Sequence, residues 1–339
     1  MTMLLQPSGI ETAAKILREG GTVAFPTETV YGLGANALDG AAVAKIFAAK
    51  GRPSWDPLIV HVGDREMLER VAVVTAQAER LIGAFWPGPL TLLLERTKEV
   101  PDAVTAGRPL VGVRMPSHPL ALALIRAAGV PVAAPSANRF GHTSPTTAVH
   151  VLEDLDGRID AVLDGGPTAV GVESTVLDPA QEGGQEPMLI YRPGAVTLEM
   201  IEAVAGAARV FRSAVAGDEN SSAPPSAMPS PGVGIRHYAP RAKLILVDGA
   251  AELSTKAEEL SRGGERVGVM LPQGWAATAA AEVFLWGEWE NGQALAQRLF
   301  AGLRDLDARG VTVILCPLPE AGGVGLAIRD RLEKAARTK

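Results

Sequence analysis

The sequence predicts an α/β protein in two parts, and three observations carry that prediction. The chain has 339 residues, 47% of them hydrophobic, with a mean hydropathy of +0.15. That is ample for a core and too long for one typical domain. Short apolar runs alternate with stretches of helical periodicity along most of the chain. Between residues 213 and 234 the periodicity stops, and Asn220-Ser221-Ser222-Ala223-Pro224-Pro225-Ser226 reads as a linker. The expected division is 1–212, a linker over 213–241, and 242–339.

The elements follow in order. Residues 9–19 form a first helix, closed by Gly20-Gly21. A buried strand over 22–25 runs into a polar, Gly-rich loop, Thr27-Glu28-Thr29-Val30-Tyr31-Gly32. Asp39 caps a helix over 40–50 and Gly51 stops it. Strands are expected at 58–62, 90–95, 110–115 and 130–135, with helices at 64–72, 75–85 and 118–128, the last capped by Ser117. Ser144-Pro145 reads as a helix start, serine at the cap and proline in the first turn. Short strands near 161–163, 174–177 and 188–191 precede a helix capped by Thr197. Beyond residue 242, strands at 244–247, 267–271, 283–285 and 311–315 alternate with helices at 251–261, 291–308 and 323–336. That alternation implies a small parallel, Rossmann-like α/β unit.

Composition removes several function classes. The net charge of −6 argues against a broad basic face for duplex nucleic acid, while leaving room for a local cationic pocket. The single Cys316 permits no intrachain disulfide and reads as a buried hydrophobe of a reducing compartment. No stretch is long enough to span a bilayer, and the start lacks a basic-then-apolar signal layout, so a cytoplasmic protein is expected. There is no Gly-Lys dipeptide for a phosphate loop, no His-Glu-x-x-His, and no Gly-x-Ser-x-Gly.

The positive signals are cations and hydroxyls. Lys50, at a helix C-terminus, is either a dipole-complementing surface charge or an anion ligand. Arg52 is held in a loop stiffened by Pro53. Arg114, inside an apolar strand, must pair with a carboxylate of the chain or grip one on a ligand, since burying it bare is prohibitive. Ser136, Asn138 and Ser144 offer donors suited to phosphate oxygens. Together these describe a site with two anion-binding ends, one carboxylate-sized and one polyphosphate-sized.

The motifs Phe25-Pro26-Thr27-Glu28-Thr29-Val30-Tyr31-Gly32-Leu33, Lys50-Gly51-Arg52-Pro53, Trp86-Pro87-Gly88-Pro89-Leu90-Thr91, Val113-Arg114-Met115-Pro116, Ala134-Pro135-Ser136-Ala137-Asn138, Glu173-Ser174-Thr175-Val176 and Arg192-Pro193-Gly194 occur in that order within residues 5–210. That region closely resembles the threonylcarbamoyl-AMP synthases with a YrdC-type catalytic domain. The linker, Arg236-His237-Tyr238-Ala239-Pro240 and the trailing α/β unit resemble the longer, two-domain branch.

The resemblance implies a twisted mixed sheet with helices around a deep cavity. It implies a nucleotidyltransferase that makes threonylcarbamoyl-AMP and pyrophosphate from L-threonine, bicarbonate and ATP. The product would feed N6-threonylcarbamoyladenosine modification of tRNA through a transferase machinery. Thr29, His61, Arg114, Ala134 and Ser174 would hold threonine. Lys50, Arg52, Asp56, Ser136, Asn138, Ser144 and Arg192 would hold ATP, with Tyr238 closing over it and Lys50 and Arg52 acting in catalysis. Mg2+ is expected to arrive with ATP, with no metal ligands from protein side chains. Asp56 stands where the family commonly has asparagine, and a carboxylate there would repel phosphates unless it meets the metal or turns away. The competing reading is an RNA-binding module on the same scaffold, which the acidic balance and 4% aromatic content disfavour.

Overall fold

The computed structural model describes residues 1–179, 186–211, 237–276 and 281–337. The expected linker core, with Arg236, lies outside them. Strands β1 (Met3–Leu5), β2 (Val23–Pro26), β3 (Tyr31–Asn36), β4 (Ile59–His61), β5 (Leu90–Glu95), β6 (Leu110–Arg114), β7 (Val132–Ala133), β8 (Ala161–Leu163), β9 (Thr175–Asp178), β10 (Met188–Arg192) and β11 (Ala208–Val210) form one mixed sheet. Its order is β1-β8-β2-β3-β7-β4-β6-β5-β9-β10-β11. Around it lie α1 (Ile10–Arg18), α2 (Gly40–Lys50), α3 (Arg65–Val71), α4 (Ala76–Phe85), α5 (Asp102–Thr105), α6 (Pro119–Ala128), α7 (Ala148–Leu155) and α8 (Leu198–Ala205). A second sheet holds β12 (Lys243–Val247), β13 (Val267–Pro272), β14 (Glu282–Gly287) and β15 (Val313–Pro317) in the order β12-β15-β13-β14. All its pairings are parallel, with α9 (Ala250–Arg262), α10 (Gly292–Ala308) and α11 (Val324–Ala336) as crossovers and flank. No helix is long and apolar enough to cross a membrane among the described residues.

Local chemistry explains the elements that position the site. The Asp39 carboxylate accepts from the amides of Ala41 and Ala42 and starts α2; Gly51, at φ 62°, ends it in the left-handed conformation a C-cap needs. Strands β4 and β6 run parallel, with His61 opposite Arg114, so both side chains arrive at the same carboxyl end of the sheet. Buried Val60 and Val113 point to the opposite face and into the main core.

Four local readings change. The stretch after β2 is a strand rather than a loop: β2 and β3 pair antiparallel across the turn Thr27–Val30. Sequence reading missed β3 because Gly32 and Gly34 interrupt its pattern. A Cβ at Gly34 would come within 2.7 Å of both Phe25 and Val132, so glycine is required by close packing. Ser144 does not cap a helix. Helix α7 begins at Ala148, and Thr147 caps it by accepting from the amide of His150. The Ser144–Thr146 segment is instead stitched to its neighbours, Pro145 accepting from Tyr31 and Thr146 from Thr168. At α6 the cap is His118, whose Nδ1 accepts from Leu120, and not Ser117. The strand expected over 130–135 shortens to Val132–Ala133.

The two sheets are not independent. The core of the second includes Val30 from the β2–β3 turn, Val172 and Tyr238, packed with Leu299, Phe300 and Leu303 of α10. Val170 and Gly171 donate to the carbonyls of Glu28 and Thr29, so the same loop braces the turn and meets α10. Gly171 has φ +81°, and a Cβ there would fall 2.4 Å from the Ala296 carbonyl of α10. Gly171→Ala therefore combines backbone strain with overpacking, and should cost about 1–3 kcal/mol in chemical denaturation. An unchanged midpoint would show that α10 does not seat on this loop.

Candidate active site

A cavity opens where the first sheet, the loop after α2 and the segment His237-Tyr238 converge. Its walls include Thr27, Thr29, Arg52, His61, Arg114, Ala134, Ser136, Glu173, Ser174, Arg192, His237 and Tyr238. Nine of the thirteen expected site residues line it: Thr29, Arg52, His61, Arg114, Ala134, Ser136, Ser174, Arg192 and Tyr238. Lys50, Asp56, Asn138 and Ser144 are buried immediately behind the wall.

Each cation is held differently. Arg114, at the end of β6, is 3% exposed, and its Nη2 donates to Glu28 at 2.8 Å. Its Nη1 donates to Thr29 at 3.2 Å, while Nε has no partner. The other oxygen of Glu28 accepts from the Ser117 amide at 3.2 Å. The two readings of Arg114 are thus not exclusive: it pairs inside the chain and still faces the cavity. Arg52 pairs with Asp56 at 2.9 Å and donates to the carbonyls of Asp56 and Pro57. Asp56 is therefore turned onto its own arginine and away from the cavity.

Lys50 donates to the carbonyls of Ser136 at 2.6 Å and Asn138 at 2.5 Å. It is a buried brace of the loop that presents those residues, and not a surface charge. Burial, then Arg52, pushes its ammonium well below the ordinary lysine value, with Asp56 and Asp154 opposing. Arg192 rests on neutral acceptors, the Ser174 carbonyl and hydroxyl, each at 3.0 Å. Ser174 also shares a hydrogen bond with Thr91 at 2.8 Å, so one hydroxyl joins the expected threonine and nucleotide halves.

Sequence reasoning missed Glu28, Glu173, His237 and Arg331. Glu173 lines the cavity, accepts from the Ser144 hydroxyl, and pairs with Arg331 of α11 at 2.8 Å. Acids beside threonine or serine inside apolar stretches were the available signal for Glu28 and Glu173. Among the described residues, buried polar atoms without a hydrogen-bond partner gather here: His61 Nδ1, Arg114 Nε, Asn138 Oδ1, His237 Nδ1 and the Tyr238 hydroxyl. Such atoms are expected where a polar ligand binds.

The histidines set a pH dependence. Burial, then Arg114, pushes His61 well below the ordinary value, and burial, then Arg52 and Lys50, does the same to His237. Burial, then Arg304, brings His150 down to about 4, against an opposing pull from Asp154. The unfolded chain binds these protons near pH 6.5 and the folded chain does not. Their contribution is thus complete above about pH 6.5 and is lost as pH falls toward the lowered folded values. Denaturation midpoints should drop from about pH 7.5 to 5.5, and His61→Leu should flatten the drop; an unaltered slope in that variant would remove His61 from the account. The Glu28–Arg114 pair makes a second prediction. Glu28→Ala strands a buried guanidinium and should cost about 3–5 kcal/mol, whereas Glu28→Ala with Arg114→Met should recover much of it in denaturant titration. Equal losses would mean that the pair is not desolvated.

Two family models together match most of the chain. Residues 15–194 match the Sua5/YciO/YrdC family model, described as "Telomere recombination". Residues 196–337 match the model described as "Threonylcarbamoyl-AMP synthase, C-terminal domain". The threonylcarbamoyl-AMP synthase of Pyrococcus abyssi is 46% identical, over 96% of this chain and 94% of that one. That of Bacillus subtilis is 47% identical, over 96% and 92%. The crystal structure of P. abyssi Sua5 complexed with L-threonine superposes with a TM-score of 0.90 at 42% identity, covering 99% of this chain and 97% of that one. An RNA-binding module finds no support in these relatives. With near-complete coverage at such identity, the chain belongs to the threonylcarbamoyl-AMP synthase family.

Proposed function

We propose that the cavity carries out the full synthase reaction, from L-threonine, bicarbonate and ATP to threonylcarbamoyl-AMP and pyrophosphate. The observation that carries the reading is the convergence of Arg52, Arg114 and Arg192 on one cavity with hydroxyls between them. Arg114, with Thr29, His61, Ala134 and Ser174, would hold threonine, the guanidinium taking its carboxylate. Arg52, Ser136, Asn138, Ser144 and Arg192 would hold ATP, under the ring of Tyr238. Lys50 would add positive potential from behind the Ser136–Asn138 loop. Asp56 would act by aiming Arg52, and not by touching phosphate.

A carbamate oxygen of N-carboxythreonine would attack the α-phosphorus. The new oxygen–phosphorus bond forms as the bond to pyrophosphate breaks, and the cations neutralise the leaving charge. No side chain need become a nucleophile; positioning and electrostatic stabilisation supply the rate. This makes the enzyme a nucleotidyltransferase. Mg2+ would enter as part of the ATP substrate, since Glu28, Asp56 and Glu173 are each paired with an arginine. Among the described residues, no group of three His, Cys, Asp or Glu could hold a metal. The product would pass to a tRNA threonylcarbamoyl transferase, which carries the cytoplasm as the place of action.

Pyrophosphate release should require threonine and bicarbonate together with ATP and magnesium. Arg114→Lys keeps the charge but loses the fork; it should raise the KM for threonine about tenfold or more and leave that for ATP nearly unmoved. Release that ignores threonine would overturn the amino-acid half of the site.

A further inference from the structure

We propose that Arg331 of the C-terminal unit is a positioning residue for nucleotide binding: through Glu173 it fixes the Ser144 hydroxyl, and through its guanidinium face it supports Tyr238. The proposal rests on the synthase reading of the cavity. Arg331 lies in the last helix, 158 residues from Glu173, yet its side chain is 1% exposed. Its Nε donates to one Glu173 oxygen at 2.8 Å, and its Nη2 reaches the Glu173 carbonyl at 3.4 Å. The other Glu173 oxygen accepts the Ser144 proton. The guanidinium carbon lies 5.3 Å from the centroid of the Tyr238 ring, and Asp330 accepts from Nη1 at 2.7 Å.

The reason for this arrangement is electrostatic. Glu173 lines the cavity, and an uncompensated carboxylate there would repel a triphosphate. Arg331 neutralises it from behind, on the side that the cavity does not reach. Glu173 then keeps both oxygens aimed, one at Arg331 and one at Ser144. With its single proton given to Glu173, Ser144 presents its oxygen in one fixed orientation. Arg304 of α10 anchors the same loop from a second point, donating to the carbonyls of Thr143 at 2.6 Å and Ser144 at 3.4 Å, and to Asp154 at 2.7 Å. The C-terminal unit therefore completes the nucleotide end of the cavity.

The test uses the full chain and compares wild type with Arg331→Met, Arg331→Lys and the double variant Arg331→Met/Glu173→Gln. A non-hydrolysable ATP analogue is titrated by calorimetry, and the KM values for ATP and threonine are read from pyrophosphate release. Thermal unfolding confirms that each variant is folded. Arg331→Met should weaken analogue binding and raise the KM for ATP about tenfold, with a smaller effect on threonine. Arg331→Lys, which keeps the charge, should recover part of that loss. The double variant has no buried unpaired charge and should fold, yet still bind the analogue weakly. Analogue affinity equal to wild type in the folded double variant would overturn the proposal, because Arg331 would then only balance Glu173. Analogue binding is read without turnover, so it judges the tether even if the threonine requirement fails. A wild-type protein that bound no nucleotide would sink both.

Discussion

Everything in this molecule depends on keeping several cations charged inside a sheet protein without cancelling them. A guanidinium or ammonium taken from water must be compensated by acceptors, or it loses its proton or the fold loses stability. The chain solves this residue by residue. Arg114 is half-compensated by Glu28, and Arg52 by Asp56 with two carbonyls. Lys50 and Arg192 rest on neutral oxygens, with no direct carboxylate partner among the described residues. Neutral acceptors hold a cation in place while leaving its field intact. The cavity thus gathers three arginines in a chain whose net charge is −6.

The backbone places those charges cheaply. His61 and Arg114 close two parallel strands in register, and Arg192 closes β10. Carboxyl ends of strands in an open sheet are where ligands commonly bind, because the chain must leave the sheet there and opens a crevice. The β2–β3 turn adds Thr27 and Thr29 from the other side. Their hydroxyls are 2.8 Å apart, and the Thr27 hydroxyl also donates to the Val30 carbonyl at 2.7 Å, so the turn is fixed before any ligand arrives.

What could be read in the sequence was local or carried by recurring motifs. Asp39 and Gly51 announce both ends of α2, and the alternation of β6 puts Arg114 on the face opposite Val111 and Val113. The Ser144 error was a local rule applied where two hydroxyls compete. Ser144 and Thr147 both stand near a helix start, and only tertiary contacts decide that Thr147 caps it while Ser144 turns to Glu173. Arg331, and the ion pairs that Glu28 and Glu173 make, were illegible for a related reason. Their partners lie 86 and 158 residues away, and pairing at such separations leaves no periodicity in the chain. Arg331 in particular occupies a helix whose polar residues look like a solvated face. The Gly322-Gly323-Val324-Gly325 cluster, which resembles a cofactor loop only in composition, is the start of that helix: a Cβ at Gly325 would fall 2.1 Å from the Glu320 carbonyl.

Tyr238 shows how far the two sheets are one mechanical object. It is a non-glycine residue at φ 64°, a conformation that side chains adopt at a cost. Such a conformation persists where the surroundings over-determine it. Here Phe300 stacks on the ring at 5.7 Å, His237 meets its edge at 4.2 Å, and Arg331 supports its face. Burial raises the Tyr238 hydroxyl well above the ordinary phenol value, so the ring offers a neutral, donor-bearing wall to the cavity. Two of those three supports come from α10 and α11. The strained residue that faces the first sheet's cavity is thus held by the second sheet's helices, and neither half of the chain forms that wall without the other.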